Sequence, residues 1–162
     1  MVENNTEILI RTARLSDADD LIAFNQAMAQ ETEKRVLKPE IISAGVHALF
    51  QNPEWGFYIV AEVDSRNVGC LMITYEWSDW RNGLFWWIQS VYVRPEFRRR
   101  GIYQKMYDHI QEAALKAGNV CGLRLYVERD NRIAQTTYRQ LGMSKTNYIL
   151  FETTELIKPS EK

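Results

Sequence analysis

The sequence predicts an α/β (α+β) fold, in which strands, two of them an antiparallel hairpin, are interspersed with helices. Three observations carry this. Strand-like runs recur along the chain, and two of them, 56–63 and 68–75, are joined by the turn residues Asp64-Ser65-Arg66-Asn67 as a hairpin. Between such runs the apolar residues fall at helical spacing, as at Ile102, Met106, Ile110, Ala113 and Ala117. At 162 residues, 46% hydrophobic and 25% charged, the chain has the length and composition of one domain with a real core.

Taken in order, 8–12 is a first strand. Ser16 is placed to cap a helix with the buried stripe Ala18, Leu21, Ile22, Asn25 and Met28, and Asp17, Asp19 and Asp20 favour its positive end. Pro39 suits the first position of a second helix carrying Ile42, Val46 and Leu49. After the 56–63 and 68–75 hairpin, Arg81-Asn82-Gly83 turns the chain into a long strand, 84–93. A helix from Ile102, a strand at 123–127, a short helix after Asn131 and a last strand within 148–153 complete the set. Residues 154–162 are a polar tail expected to fray, leaving an ordered core of about 6–154.

The stretch from Val93 to Tyr103 carries the most chemistry. Pro95 ends the strand, because it has no N–H for the ladder. Arg98, Arg99, Arg100 and Gly101 then lead straight into the helix at Ile102. The first turn of a helix leaves backbone N–H groups unpaired at the positive end of its dipole, and a glycine lets an anion approach the backbone. Four arginines against Glu96 give a local charge of +3 in a chain whose net charge is -1. That concentration suits a pyrophosphate, and the net charge argues against nucleic-acid binding.

A second segment, 131–143, follows the 123–127 run. Ala134, Thr137, Tyr138 and Leu141 form one face of a short helix, and Gly142 sits where a C-terminal cap glycine belongs. Together the two segments resemble the GNAT superfamily of acyl-CoA-dependent N-acetyltransferases. Arg98, Gly101 and Tyr103 fall on its Arg/Gln-x-x-Gly-x-Gly/Ala motif, with Tyr103 where the family has Gly or Ala. Asn131, Ala134, Tyr138, Gly142 and Met143 fall on Asn-x-x-Ala-x-x-x-Tyr-x-x-x-Gly-Phe. The order of elements is the family's order as well, so the resemblance covers nearly the whole chain.

The resemblance implies a single GNAT-like domain over 1–162, with a mixed, mostly antiparallel central sheet of six to seven strands, about four flanking helices and a splay between strands 4 and 5. It implies acetyl-CoA as co-substrate and a primary amine as acceptor. In that family the backbone of Val91, Tyr92 and Val93 would pair with the pantetheine arm, and one N–H there would steady the oxyanion. Arg98 and the backbone of Arg99, Arg100, Gly101, Ile102, Tyr103 and Gln104 would hold the pyrophosphate. Asn131 would help fix the arm, and Tyr138 would protonate the departing thiolate.

The stretch 75–83 and the strand after it are similar to the diamine (spermidine/spermine-type) branch, in which the general base aligns with Gln89. Glutamine takes up no proton, so Gln89 is expected to position water or acceptor. Glu76, Asp79 and Glu128 all remain open as sources of the missing charge. Trp77, Trp80, Trp86 and Trp87 wall an acceptor pocket or pack the sheet, and Trp86 and Trp87 point to opposite faces. The acidic run 30–33 ends the first helix, near where the family binds acceptors. A polyamine-like amine, an amino acid derivative and a peptide N-terminus all fit. A catalytically idle acyl-CoA sensor is the alternative, and a homodimer is a family-level expectation.

Cys70 and Cys121 show no metal or redox spacing and read as buried filler. His47 and His109 lie far apart in sequence, so no metal site is expected. No signal-peptide pattern and no apolar run approaching the ~20 residues of a membrane span appear, which implies a cytoplasmic protein without a membrane partner.

Overall fold

The computed structural model describes residues 7–154 and 156. The chain divides into two compact units at the junction of Tyr126 and Val127. The first unit is built on one five-stranded sheet in sequential order: β1 Ile8–Thr12, β2 Gly56–Val63, β3 Arg66–Ser78, β4 Gly83–Val93 and β5 Val120–Arg124. The first three pairings are antiparallel, and only β4 with β5 is parallel. Among the described residues the sheet therefore has five strands rather than six to seven. No helix there is long and apolar enough to cross a membrane.

Two helices, α1 Ala18–Glu33 and α2 Pro39–Gln51, cover one sheet face. The core on that side joins Leu21 and Phe24 of α1 and Val46 of α2 to Tyr58, Val60, Cys70 and Tyr92 of the sheet. Strand alternation sends Ile59, Leu71, Ile73 and Ile88 to the other side, all buried. There α3, Ile102–Ala117, runs against the sheet and buries Ile102, Met106, Tyr107 and Ile110. Pro39 occupies the first turn of α2, where its missing N–H costs nothing. The β2–β3 hairpin is tighter than expected, with Val63 paired to Arg66. Its two turn residues, Asp64 and Ser65, have φ of 49° and 60°, the positive values a two-residue hairpin turn needs.

Several expectations are corrected. Ser16 caps nothing, because it lies inside a 3-10 turn, Leu15–Asp17, ahead of α1. The buried stripe of α1 includes Phe24 and Ala29, whereas Ile22 and Met28 are half-buried. The strand expected at 123–127 forms at Val120–Arg124, because Gly118, with φ of 75°, ends α3 and returns the chain at once to the start of β4. Cys70 is buried, but Cys121 on the edge strand is exposed. In the second unit, α4 spans Arg132–Gln140. The run 148–153 forms no strand: Tyr148, Ile149, Leu150 and Phe151 are exposed, and apolar character without a ladder neighbour does not make a strand. Of the expected tail, 155 and 157–162 lie outside the described residues.

One polar cluster is buried in the first unit. Arg11 of β1 donates to both carboxylate oxygens of Asp17, at 2.8 and 3.0 Å, and to Glu62 of β2 at 3.0 Å. Asn67 of the hairpin donates to Asp17 at 2.9 Å and to Asp20 of α1 at 2.8 Å. Arg11, the backbone N–H of Arg14 and Asn67 hold the Asp17 carboxyl well below the usual carboxylate range, against the opposing effect of burial. A depressed carboxyl stabilises the fold fully above about pH 4, its unfolded range, and loses that contribution as pH falls further. Asp17→Asn is expected to cost roughly 2–3 kcal/mol at pH 7, because it takes from the half-buried Arg11 guanidinium the carboxylate that receives two of its hydrogen bonds and leaves it only the carboxylate of Glu62. Urea unfolding at pH 7 and pH 3 checks this: the gap between variant and wild type should narrow in acid, and an equal gap at both would remove the ion pair as its cause.

Candidate active site

β4 is not a regular strand. Met72 of β3 pairs with Gln89, but Cys70 pairs with Tyr92, so β4 holds one residue more than β3 over this interval. The surplus sits at Ser90–Val91, where Ser90 has φ of 50°, a β-bulge that re-aims the rest of the strand. Beyond it, the Arg94 N–H donates to the Val68 carbonyl at 2.8 Å, fixing Arg94 toward β3. Backbone alternation then turns Tyr92 toward β3 and Val91 and Val93 toward the opposite edge. On that edge β5 pairs with β4 only from Leu84 to Trp87. The backbone of Val91 and Val93 thus lies past the end of β5. The Tyr92 ring is buried 5.2 Å from that of Phe24.

The same edge leads into the arginine turn. A 3-10 turn, Pro95–Phe97, follows Arg94, then Arg99 and Gly101 take φ of 61° and 74°, and α3 begins at Ile102. The first intrahelical bond runs from Lys105 N–H to the Gly101 carbonyl, so the N–H groups of Ile102, Tyr103 and Gln104 are those a helix start leaves over. Arg98, Arg99, Arg100 and Gly101 are exposed. Nothing lies within 4 Å of where a Cβ on Gly101 would stand, so the space above that turn is open. Arg98 is pinned at both ends, donating to the Val93 carbonyl at 2.8 Å and to Glu31 of α1 at 2.7 Å. The Tyr103 ring lies along α3, 6.5 Å from that of Tyr107, which reconciles a bulky residue with this position.

Gln89 projects on the α1/α2 face of the sheet. Its amide Nε2 donates to the Thr74 hydroxyl at 2.6 Å, so Oε1 is turned away as an acceptor. One row along, Thr74, Trp87 and Arg124 stand abreast on three strands. Glu76 receives an N–H from Trp87 on one oxygen and from Arg124, at 2.8 Å, on the other. Of the three carboxylates left open by the sequence, Glu76 alone shares the face of Gln89 in the first unit. Asp79 lies in the β3–β4 turn, accepting from the Trp80 N–H, and Glu128 belongs to the second unit, accepting from the Asp130 N–H. Trp86, as expected, points the other way, into a cluster with Phe57 and Tyr75. Trp77 and Trp80 are exposed.

In the second unit Asn131 caps α4, its Oδ1 accepting from the Ala134 N–H at 3.1 Å. At the other end Gly142 has φ of 84°, with Met143 N–H donating to the Tyr138 carbonyl and Gly142 N–H to that of Arg139. These two bonds make a Schellman cap, which explains the glycine. Tyr138 is half-buried, and burial raises its phenol above the ordinary value. Among the described residues no group of His, Cys, Asp and Glu is placed to hold a metal ion. No sequence pattern signals the bulge, Thr74 as the partner of Gln89 or Arg124 as the partner of Glu76. Alternation from Phe85 and Trp87 would have put the last two on the Gln89 face only if the register were known.

A family match gives this sheet, strand edge and helix start their class, that of an acyltransferase. The acetyltransferase (GNAT) family matches residues 18–143, and the chain belongs to it. It is accordingly an acetyl-CoA-dependent N-acetyltransferase. It is similar to a possible acetyltransferase from Clostridium difficile 630, at 43% identity and a TM-score of 0.86, with 93% of this chain and 99% of that one covered. Thialysine N-epsilon-acetyltransferase of Bos taurus is 29% identical over 145 residues, 83% of each chain. An aminoglycoside N-acetyltransferase, AAC(6')-Iy, in complex with CoA shares the fold at 15% identity and a TM-score of 0.74, over 96% of this chain and 99% of that one.

Gly101→Glu is expected to abolish acetyl-CoA binding. It sets a negative charge where the open turn would take an anion, and the added Cβ meets nothing within 4 Å. The positive φ adds strain of order 1 kcal/mol, which a melting curve reads separately. Calorimetric titration checks it: wild-type affinity in the folded variant would move the pyrophosphate elsewhere.

Proposed function

We propose that the enzyme transfers the acetyl group directly to a primary amine within a ternary complex. The observation that carries this is the outer edge of β4, running past the end of β5 into the arginine turn. On this reading Val91 offers its N–H and C=O, and Val93 its N–H, to an extended amide-bearing arm, as an added strand would use them. The arginine turn and the N–H groups at the start of α3 take the pyrophosphate. Open space above Gly101 and three exposed arginines fit that group. An N–H of the re-aimed stretch polarises the thioester carbonyl and steadies the oxyanion.

The amine nitrogen bonds to the carbonyl carbon, the C–S bond breaks, the amine gives up a proton and the thiolate gains one. Gln89, held by Thr74, uses Oε1 to orient the amine or a water that takes its proton. Tyr138 is assigned as donor to the thiolate from its motif, 131–143, and from a phenol kept protonated by burial. A covalent route lacks a nucleophile at Cys70, whose thiol burial pushes up to about 12. The bovine relative is named for a thialysine acceptor and the structural neighbour for aminoglycosides. Small-molecule amines, among them polyamine-like compounds and amino acid derivatives, are the acceptors that fit best, with a peptide N-terminus as the larger option. Acetyl-CoA turnover with an amine panel, read by mass spectrometry, tests the reading. Acetyl-CoA binding without thiol release on any amine would reduce the protein to a sensor.

Gln89→Ala is expected to lower turnover only about 10-fold, less than a lost general base costs. A loss of several thousandfold at unchanged acetyl-CoA affinity would make this side chain central to proton removal.

Tyr138→Phe keeps the ring and should leave the melting point and acetyl-CoA affinity nearly unchanged while turnover falls roughly 10²-fold. With the phenol pKa raised, the wild-type rate should show no alkaline loss from this group below about pH 10. Wild-type turnover in the Phe variant would mean that water delivers the proton.

A further inference from the structure

Arg124 and Glu76 form a half-buried ion pair beside Gln89, with their side chains 27% and 41% exposed. The guanidinium lies over the buried Phe85 ring, 3.5 Å from its centroid. Gly122 makes room for that stack: a Cβ there would come within 2.8 Å of the Phe85 ring. Arg81 approaches the same ring at 5.1 Å. Glu76 is fixed in turn by the indole N–H of Trp87. The arrangement holds each charge in place without closing it off from solvent.

We propose that this pair is the specificity determinant for the acceptor, and that it selects a zwitterionic head group, an α-amino acid whose side-chain amine is acetylated. The proposal rests on the amine-acetyltransferase reading above. Two guanidiniums and one carboxylate carry a net charge of +1, which favours a ligand bearing a carboxylate and disfavours a dication. A zwitterion satisfies both signs, its carboxylate on Arg124 and its ammonium on Glu76, through charge-assisted hydrogen bonds. The planar, stacked guanidinium presents its remaining N–H groups as a fork suited to a carboxylate.

Spacing agrees with this. Gln89 stands two residues along β4 from Trp87, which is level with Arg124, a step of roughly 7 Å. An amine four carbons from an α-carbon reaches about 6 Å when extended, five bonds of ~1.5 Å at tetrahedral angles. A head group seated at the Trp87 row therefore brings a lysine-length amine to the row of Gln89.

The test compares L-lysine with 1,5-diaminopentane, the same chain without the carboxylate. We expect wild-type kcat/KM for lysine to exceed that for the diamine at least 10-fold, with Nε-acetyl-lysine as product. Arg124→Gln should bring the ratio close to one, chiefly through KM for lysine, and Glu76→Gln should lower it in the same way. Arg124→Lys keeps the charge without the fork and should retain part of the preference, which covers the case of an unfolded Gln variant. A structural strut would depress both substrates alike, so an unchanged ratio in Arg124→Gln overturns the proposal. So does a wild type that prefers the diamine, or a product acetylated at the α-nitrogen. Calorimetric binding of both compounds to the enzyme–CoA complex keeps the two readings apart. Absent turnover counts against the acetyltransferase reading, whereas equal affinity for the two compounds counts against the ion pair.

Discussion

The extra residue in β4 is the constraint on which the rest of the site depends. Without the bulge at Ser90 and Val91, the period of two along β4 would continue unbroken from Gln89 to Arg94. Side chains beyond it would change faces, and the buried ring of Tyr92 would leave its place against Phe24. With it, Gln89 keeps its place on the α1/α2 face and Tyr92 fills the core of that same face three residues later. The backbone between them is turned outward past the end of β5. One residue thus separates a stretch whose side chains alternate regularly between the sheet faces from a stretch whose peptide groups lie past the end of β5.

Such a bulge needs fixed ends. At the N-terminal side β4 is held between two strands, β3 and β5, with Trp86 locked between Phe57 and Tyr75. At the C-terminal side Arg94 donates from its backbone to Val68 and from its side chain to the Asn67 carbonyl. Asn67 is itself part of the buried Arg11–Asp17 cluster. The exit of β4, the β2–β3 hairpin and the start of α1 therefore share one set of hydrogen bonds. Arg98 adds a further tie from the arginine turn to Glu31 near the end of α1. This pair is about 40% exposed on both sides, so its contribution to stability is small. Its place between the turn and the helix matters for geometry more than for energy.

The sequence made local structure legible wherever a residue's own chemistry decides it. Pro39 begins α2, Gly142 ends α4 in a left-handed turn, and Gly56–Val63 forms as its β-branched and aromatic content directs. Gly101 directly precedes α3, as the helical spacing from Ile102 directs, and takes a positive φ. What stayed hidden depends on pairing between distant segments. The bulge is a difference between two strands, so no single stretch encodes it. β5 lies at Val120–Arg124 because Gly118 and the start of β4 fix its register, although 123–127 looks as strand-like in isolation. Cys121 is exposed and the 148–153 run unpaired for the same reason. Thr74 and Arg124 look ordinary until the sheet sets them on either side of Trp87.

Charge placement on the α1/α2 face gives a physical reason for a glutamine at position 89. An isolated carboxylate there would act as a base, and it would also draw the guanidinium of Arg124 or Arg81 toward itself and away from Glu76 and Phe85. A neutral amide leaves that arrangement undisturbed. Both oxygens of Glu76 are engaged, one by the indole N–H of Trp87 and the other by the Arg124 N–H. On the proposed reading, proton removal falls to solvent that Gln89 orients, and an amine of pKa near ~10 leaves about one molecule in a thousand neutral at pH 7. A site of this kind gains rate from holding the rare neutral amine in place rather than from creating it. On that reading, rigid placement of the acceptor, by Thr74 through Gln89 and by the stacked ion pair one row away, is the contribution of the first unit of the chain.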